Sequence, residues 1–186
     1  MQALKGSLVA LVTPLASNGS VDYAAIKDLV GWHIEQGTDG IVSVGTTGEA
    51  PTLSTKEHAE VITKTIEYVN GAIPVIAGTG GNSTHDSIAL TKEAASAGAD
   101  FCLLVTPYYN KPNQEGLLTH FTAIADSVDI PQILYNVPSR TACDILPSTV
   151  KTLAQHQNIV GIKEALDNMN RICLLYTSDA ADEIVR

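Results

Sequence analysis

The sequence predicts an α/β fold, namely an incomplete TIM (β/α)8 barrel with about six βα units. Short apolar runs recur about every thirty residues, segments with helical spacing lie between them, and polar or glycine-rich sequence follows each run. Such runs are typical of parallel strands buried on both faces, and their alternation with helices indicates repeated βα units. A doubly wound open sheet is the alternative arrangement of the same units.

The apolar runs supply the predicted strands, which begin near residues 7, 40, 74, 101, 132 and 159. In chain order they read SLVALVTP, GIVSVGTTGE, PVIAGTGG, FCLLVTPYYN, PQILYNVPSR and IVGIKEA. The first resembles the apolar part of a signal peptide, but it is short and Pro14 interrupts it, which favours a strand. Between the runs, Ser54 with Glu57 forms a capping-box signature, Ser83 predicts another helix start, and Gly98 predicts a helix end.

The composition limits the classes of partner. The chain has 186 residues, 45% of them hydrophobic, and a net charge of −9, which argues against nucleic acid and anionic membranes. No run approaches the ~20 apolar residues of a membrane span. The five histidines are scattered without ligand spacing, so no metal site is predicted. Cys102, Cys143 and Cys173 lie far apart and indicate free thiols in a reducing cytoplasm.

Lys163 ends the last predicted strand, within NIVGIKEA. Alternation along the strand predicts that Ile159, Gly161 and Lys163 share one face, which points into a barrel. An ordinary lysine at pH 7.5 is a neutral amine in about one molecule in a thousand, and burial favours the neutral form that attacks a ketone to give a Schiff base. A strand-end lysine that reaches solvent is the alternative.

Other reactive residue types follow neighbouring strands, at the end of a barrel where catalysis gathers. Tyr135 offers a phenol that can transfer protons, Thr46 and Thr47 with loop amides could hold a carboxylate, and Arg140 could bind a second carboxylate with two hydrogen bonds. Taken singly, each has an ordinary reading: a core tyrosine, a plain turn and a solvated arginine.

Four motifs in order, SVGTTGE, VTPYYNKP, LYNVPSRT and GIKEA, resemble the dihydrodipicolinate synthase family of pyruvate-dependent class I aldolases. The resemblance implies condensation of pyruvate with L-aspartate 4-semialdehyde to 4-hydroxy-tetrahydrodipicolinate, in the diaminopimelate route to lysine. It implies no metal or organic cofactor, and a homotetramer built as a dimer of dimers. Arg140 favours this family over another pyruvate-dependent aldolase such as N-acetylneuraminate lyase, which stays the alternative.

The resemblance also implies residue roles. Lys163 would form the Schiff base, and Tyr135 would donate and accept the proton. Tyr135 would be linked through the Thr46 hydroxyl to Tyr109 of a neighbouring subunit, and Thr47 would hold the pyruvate carboxylate. Arg140 would take the carboxylate of the semialdehyde.

Some members of the family are inhibited by lysine at a subunit interface. Six positions of this sequence match that site: Ala50, Pro51, His58, Asn82, Asp86 and Tyr108. A glutamate is usual where Asp86 stands, and aspartate is one methylene shorter, so the resemblance leaves inhibition open.

The sequence departs from the family near its end. A complete barrel has eight strands and about 250 residues, whereas 23 residues follow Lys163. We therefore expect residues 1–172 to form a partial barrel with unpaired edges on its first and sixth strands. Such a fragment is expected to fold poorly and to be inactive. The segment CLLYTSDAADE resembles a translated sequencing-library adaptor, which predicts that residues 173–186 are a non-native tail.

Overall fold

In the computed structural model, which describes residues 4–177, a parallel sheet of six strands runs in chain order, each strand pairing with the next. A doubly wound sheet would reverse its strand order part-way, so the sequential order confirms the incomplete barrel. The strands are β1 (Leu8–Ala10), β2 (Gly40–Ser43), β3 (Val75–Gly78), β4 (Phe101–Val105), β5 (Gln132–Asn136) and β6 (Ile159–Glu164).

Helices follow the strands, as the spacing predicted. Within the described residues they are α1 (Tyr23–Glu35), α2 (Thr55–Val69), α3 (Thr84–Ala97), α4 (Gln114–Ser127), α5 (Pro138–Thr141), α6 (Pro147–Leu153) and α7 (Met169–Thr177). The Ser54–Glu57 capping box is formed, the Ser83 side chain caps α3, and Gly98 ends α3 at φ +97°. Across residues 4–177, none of these helices is long and apolar enough to cross a membrane.

The core has two layers. One lies between the strands and the surrounding helices, with Leu104 and Leu134 of the sheet packed among α4 residues such as Phe121. The other fills the concave side of the sheet. Its buried members are Val42, Ile76, Phe101, Leu103, Tyr135 and Val137. The concave side therefore carries an apolar floor beneath the C-terminal strand ends.

An irregular register at the start of β6 changes the predicted face of one residue. Gln132 pairs with Ile159, but Ile133 pairs with Gly161. Because of this bulge, Val160 packs on the concave side while Ile159 packs toward the helices. The prediction that Ile159 shares a face with Lys163 is therefore wrong, since an inserted residue interrupts strict alternation.

Both outer strands of the described sheet have one partner only: β1 pairs with β2, and β6 pairs with β5. This arrangement confirms the predicted open edges. Helix α7 runs from residue 169 to residue 177 and so crosses the predicted boundary at residue 172. The rest of the predicted tail, residues 178–186, lies outside the described residues, and its non-native origin stays a prediction.

His120 of α4 is a buried titratable group away from the concave side. It is 5% exposed, and its Nδ1 lies 2.8 Å from Thr84 Oγ1, while its Nε2 has no hydrogen-bond partner among residues 4–177. Burial lowers the pKa of His120 to about 4. A histidine in an unfolded chain has a pKa near 6.5. Between about pH 4 and pH 6.5, therefore, His120 binds a proton in the unfolded state but not in the folded state.

Acidification from pH 7 to pH 5 is therefore expected to lower the free energy of unfolding by about 1–2 kcal/mol through this residue. Stability is unaffected by His120 above pH 6.5 and falls as the pH drops toward 4. Urea unfolding at both pH values measures the effect. The His120→Gln variant should lose most of this pH dependence, whereas His85→Gln, at an exposed position, should retain it. If the free energy of unfolding depended equally on pH in both variants, the attribution of this dependence to His120 would be contradicted.

Candidate active site

A cavity of about 880 Å³ opens at the C-terminal ends of the strands. Its walls are formed by the loops that follow β2, β3, β4 and β5 together with residues of α2 and α3. Four of the six predicted catalytic and substrate-binding residues line it, namely Thr46, Tyr109, Tyr135 and Arg140. Thr47 and Lys163 are not among its lining residues. The strand order thus gathers most of the predicted residues in one place.

Lys163 and Tyr135 are direct partners in the pairing of β6 with β5. The Lys163 Nζ lies 4.5 Å from the centroid of the Tyr135 ring, a cation–π contact. Tyr135 is 7% exposed, whereas Lys163 is exposed. The enclosure expected around Lys163 is not provided by residues 4–177, because β6 has no strand on its other side there.

The loop after β2 carries Thr46 and Thr47, both exposed. Val44 enters this loop at φ +53°, a conformation that β-branched residues rarely adopt, and Glu49 leaves it at φ +56°. The buried Thr13 hydroxyl donates a 2.8 Å hydrogen bond to the Gly48 carbonyl. The loop is therefore tied to the segment that follows β1, and of its two threonines Thr46 lines the cavity.

Arg140 lies on the single turn α5 and is exposed. The adjacent Thr141 is buried, and its single hydroxyl proton can be donated to the carbonyl of Cys143 at 2.9 Å or to that of Val137 at 3.2 Å. These bonds fix the turn that presents Arg140 to the cavity. Tyr109 is 90% exposed with φ +70°, so its ring stands out from the described surface.

All six positions predicted for lysine inhibition line the same cavity. His58 is buried, and its Nε2 lies 2.7 Å from the Gly78 carbonyl. Burial lowers the pKa of His58. Hydrogen bonds from His85 and Ser83 lower the pKa of Asp86. This end of the cavity therefore carries a carboxylate and a histidine that burial biases toward its neutral form.

Sequence reasoning gave no role to a polar cluster beyond the Lys163–Tyr135 pair. Asn136, Asp144, Glu164 and Arg171 are joined there by hydrogen bonds and ion pairs. The signal available was modest: Asn136 and Glu164 each directly follow a residue of the predicted catalytic pair. Arg171 could not be placed, because its position depends on where the chain turns after β6.

Comparison with known proteins shows the family of the chain. Residues 3–183 match the model of the dihydrodipicolinate synthetase family. The chain belongs to that family. It is 60% identical over 168 residues to the 4-hydroxy-tetrahydrodipicolinate synthase of Alcanivorax borkumensis, covering 90% of this chain and 57% of that relative. The enzyme of the same name from Pseudomonas savastanoi pv. phaseolicola is 56% identical over 182 residues, covering 98% of this chain and 62% of that relative.

Solved structures of the family share the fold. Dihydrodipicolinate synthase from Acinetobacter baumannii, complexed with pyruvate, superposes with a TM-score of 0.93 at 54% identity, covering 97% of this chain and 61% of that one. The enzyme from Aquifex aeolicus gives a TM-score of 0.91 at 49% identity, and the match covers 93% of this chain and 59% of that one. The chain thus spans about three fifths of the length of these relatives.

Proposed function

We propose that this chain forms a Schiff base between Lys163 and pyruvate, the first step of a condensation with L-aspartate 4-semialdehyde to 4-hydroxy-tetrahydrodipicolinate. The observation that carries the proposal is the contact of 4.5 Å between the Lys163 amine and the buried Tyr135 ring. An amine nucleophile beside a phenol is the pairing that carbinolamine chemistry needs. The Acinetobacter baumannii relative, solved with pyruvate, supports the choice of substrate.

The proposed reaction begins at the Lys163 amine. The neutral Lys163 amine adds to the ketone carbon of pyruvate, and the proton lost from nitrogen reaches the new hydroxyl through Tyr135. Tyr135 then donates a proton to that hydroxyl, and water leaves, so that the protonated imine and the Tyr135 phenolate remain. The phenolate takes a proton from the methyl group, which gives the neutral enamine and restores the phenol. The enamine carbon then attacks the aldehyde of the second substrate, and Tyr135 protonates the new alkoxide as the protonated imine forms again. In this proposal, Thr46 of the same subunit and Tyr109 of a neighbouring subunit complete the proton relay.

Carboxylate recognition is proposed for two loops. Thr47 with neighbouring amides would hold the pyruvate carboxylate, and Arg140 would bind the carboxylate of the semialdehyde as a planar two-donor fork. Arg140 and the names of the relatives favour this reaction over that of an N-acetylneuraminate lyase. We also propose that the reaction needs no metal or organic cofactor.

Assembly and location belong to the proposal too. The exposed Tyr109 ring suits a homo-oligomer in which one subunit supplies this residue to the next, and a dimer of dimers is proposed for the whole enzyme. Buried thiols at Cys102 and Cys143 suit a reducing cytoplasm. Lysine inhibition is proposed at the far end of the cavity, near His58 and Asp86. Residues 1–172 are proposed as the catalytic part of the chain.

Borohydride trapping tests the proposed function. The 186-residue chain is incubated with pyruvate and borohydride, digested, and mapped by mass spectrometry. We expect a reduced pyruvate adduct on Lys163 and none on Lys64, a lysine with an exposed ion pair. Folded chain that yields no adduct on Lys163 would overturn the proposal. Turnover with aspartate semialdehyde but not with N-acetylmannosamine separates the two aldolase activities, and full turnover would also contradict the expected inactivity of a six-stranded chain.

A further inference from the structure

A cluster of four side chains closes the C-terminal end of β6 onto β5. Its members, here called the strand-end clamp, are Asn136, Asp144, Glu164 and Arg171. The register pairs Asn136 with Glu164, directly after the pairing of Tyr135 with Lys163. Because successive side chains alternate across a strand, Asn136 and Glu164 meet on the face opposite the catalytic pair.

Asn136 is the centre of the clamp and is fully buried. Its Nδ2 donates to Glu164 Oε1 at 3.0 Å and to Asp144 Oδ1 at 2.8 Å. Its backbone carbonyl accepts from the amide of Ala165 at 3.0 Å, and its Oδ1 accepts from the amide of Ile145 at 3.2 Å. One residue next to Tyr135 thus holds both the end of β6 and the loop after α5.

Arg171 supplies the balancing charge from α7. Its Nε donates to Glu164 Oε2 at 2.6 Å, and its Nη2 lies 3.2 Å from Asp144 Oδ1 and also donates to the Ile145 carbonyl. The side chains of Glu164 and Arg171 are each 9% exposed. Charge-assisted bonds that are shielded from most water are strong and directional, so the Glu164–Arg171 pair fixes geometry, while the Asp144 side chain is 40% exposed.

We propose that the strand-end clamp positions Lys163 for the Schiff-base reaction, an inference that rests on the proposed function. Strand β6 needs such a device, because within residues 4–177 it has one neighbour and begins with a bulge. A bulge allows a strand to slip, and a slip of one residue would turn Lys163 away from Tyr135. Bonds between Asn136 and Glu164 hold the register at the residue after the reacting amine.

Two conservative variants test the clamp. Glu164→Gln keeps the shape of the side chain but removes the charge that faces Arg171. Arg171→Lys keeps the positive charge but removes the planar guanidinium, which donates to Glu164, Asp144 and Ile145 at once. Both are expected to slow borohydride trapping at saturating pyruvate about tenfold to a hundredfold, as a misplaced reacting group does. The pyruvate concentration for half-maximal trapping should stay within about threefold, because the loop after β2, and not β6, is proposed to hold the pyruvate carboxylate. Glu67→Gln, in an exposed pair with Lys64, is the matched control and should trap at the normal rate.

A double-mutant cycle separates positioning from general stability. If the clamp places Lys163 against Tyr135, the effect of Glu164→Gln should shrink in a Tyr135→Phe background, whereas a purely structural role predicts additive effects. Unchanged trapping in Glu164→Gln, or additivity, would overturn the inference. Amide hydrogen exchange at residues 163–165 provides a readout that does not need pyruvate. If neither the unaltered chain nor any variant traps pyruvate, the proposed function fails. Hydrogen exchange still tests the clamp in that case, and it would be overturned if the amides of residues 163–165 stayed as protected in Glu164→Gln as in the unaltered chain.

Discussion

The Tyr135→Phe variant is expected to form the reduced pyruvate adduct about 10²–10⁴-fold more slowly than the unaltered chain. The reason is local: removing the phenol oxygen leaves the ring beneath the Lys163 amine but removes the group that carries the proton to and from the carbinolamine. The contact of 4.5 Å is made by the ring, so the position of Lys163 is expected to survive. A time course of borohydride quenching at saturating pyruvate measures the rate.

The matched control for this change is Tyr68→Phe. Tyr68 packs on α2 against the core between helices and strands and does not line the cavity. The control should trap pyruvate at the normal rate. Equal rates in Tyr135→Phe and the unaltered chain would show that solvent, which reaches the exposed Lys163, supplies the proton instead. Circular dichroism and urea unfolding of both variants establish whether the sheet is intact.

The fold was predictable because its signals are local. Each strand is a short apolar run and each helix has a boundary residue of distinctive chemistry, such as Ser54 or Gly98. The parallel direction of the strands follows once helices alternate with them, whereas their order does not, because right-handed crossovers also build a doubly wound sheet. The short helix α5 escaped prediction, since four residues that begin at Pro138 carry no periodicity.

The contact between Tyr135 and Lys163 was predictable from the sequence, but the environment of the pair was not. Strand ends of a parallel sheet meet at one edge, so Tyr135 and Lys163 could be brought together from sequence. The exposure of Lys163 depends on what lies beyond β6, and the face of Ile159 depends on a bulge that apolar patterning does not reveal. The partners of Arg171 depend on the path of the chain after β6, which no local signal encodes.

Replacing Gly78 by alanine is expected to lower the free energy of unfolding by about 3 kcal/mol, at the upper end of ordinary overpacking. A Cβ on Gly78 would lie 2.2 Å from the Val44 carbonyl oxygen and 2.8 Å from its carbon. Both atoms belong to the backbone, so no side chain can rotate away. Val44 is already held at φ +53°, and the shift must pass into the loop that carries Thr46. Urea unfolding measures the stability.

Gly31→Ala is the matched control, because a Cβ at that position on α1 has no atom within 4 Å. Since alanine favours a helix interior over glycine, this control should gain about 0.5–1 kcal/mol. Both variants replace glycine by alanine, and their changes in the free energy of unfolding are expected to have opposite signs. Any Gly78→Ala protein that folds should also need more pyruvate for half-maximal trapping, because the displaced loop presents Thr46 and Thr47. A stable variant with normal trapping would show that the approach of β3 to Val44 can relax without moving the threonines.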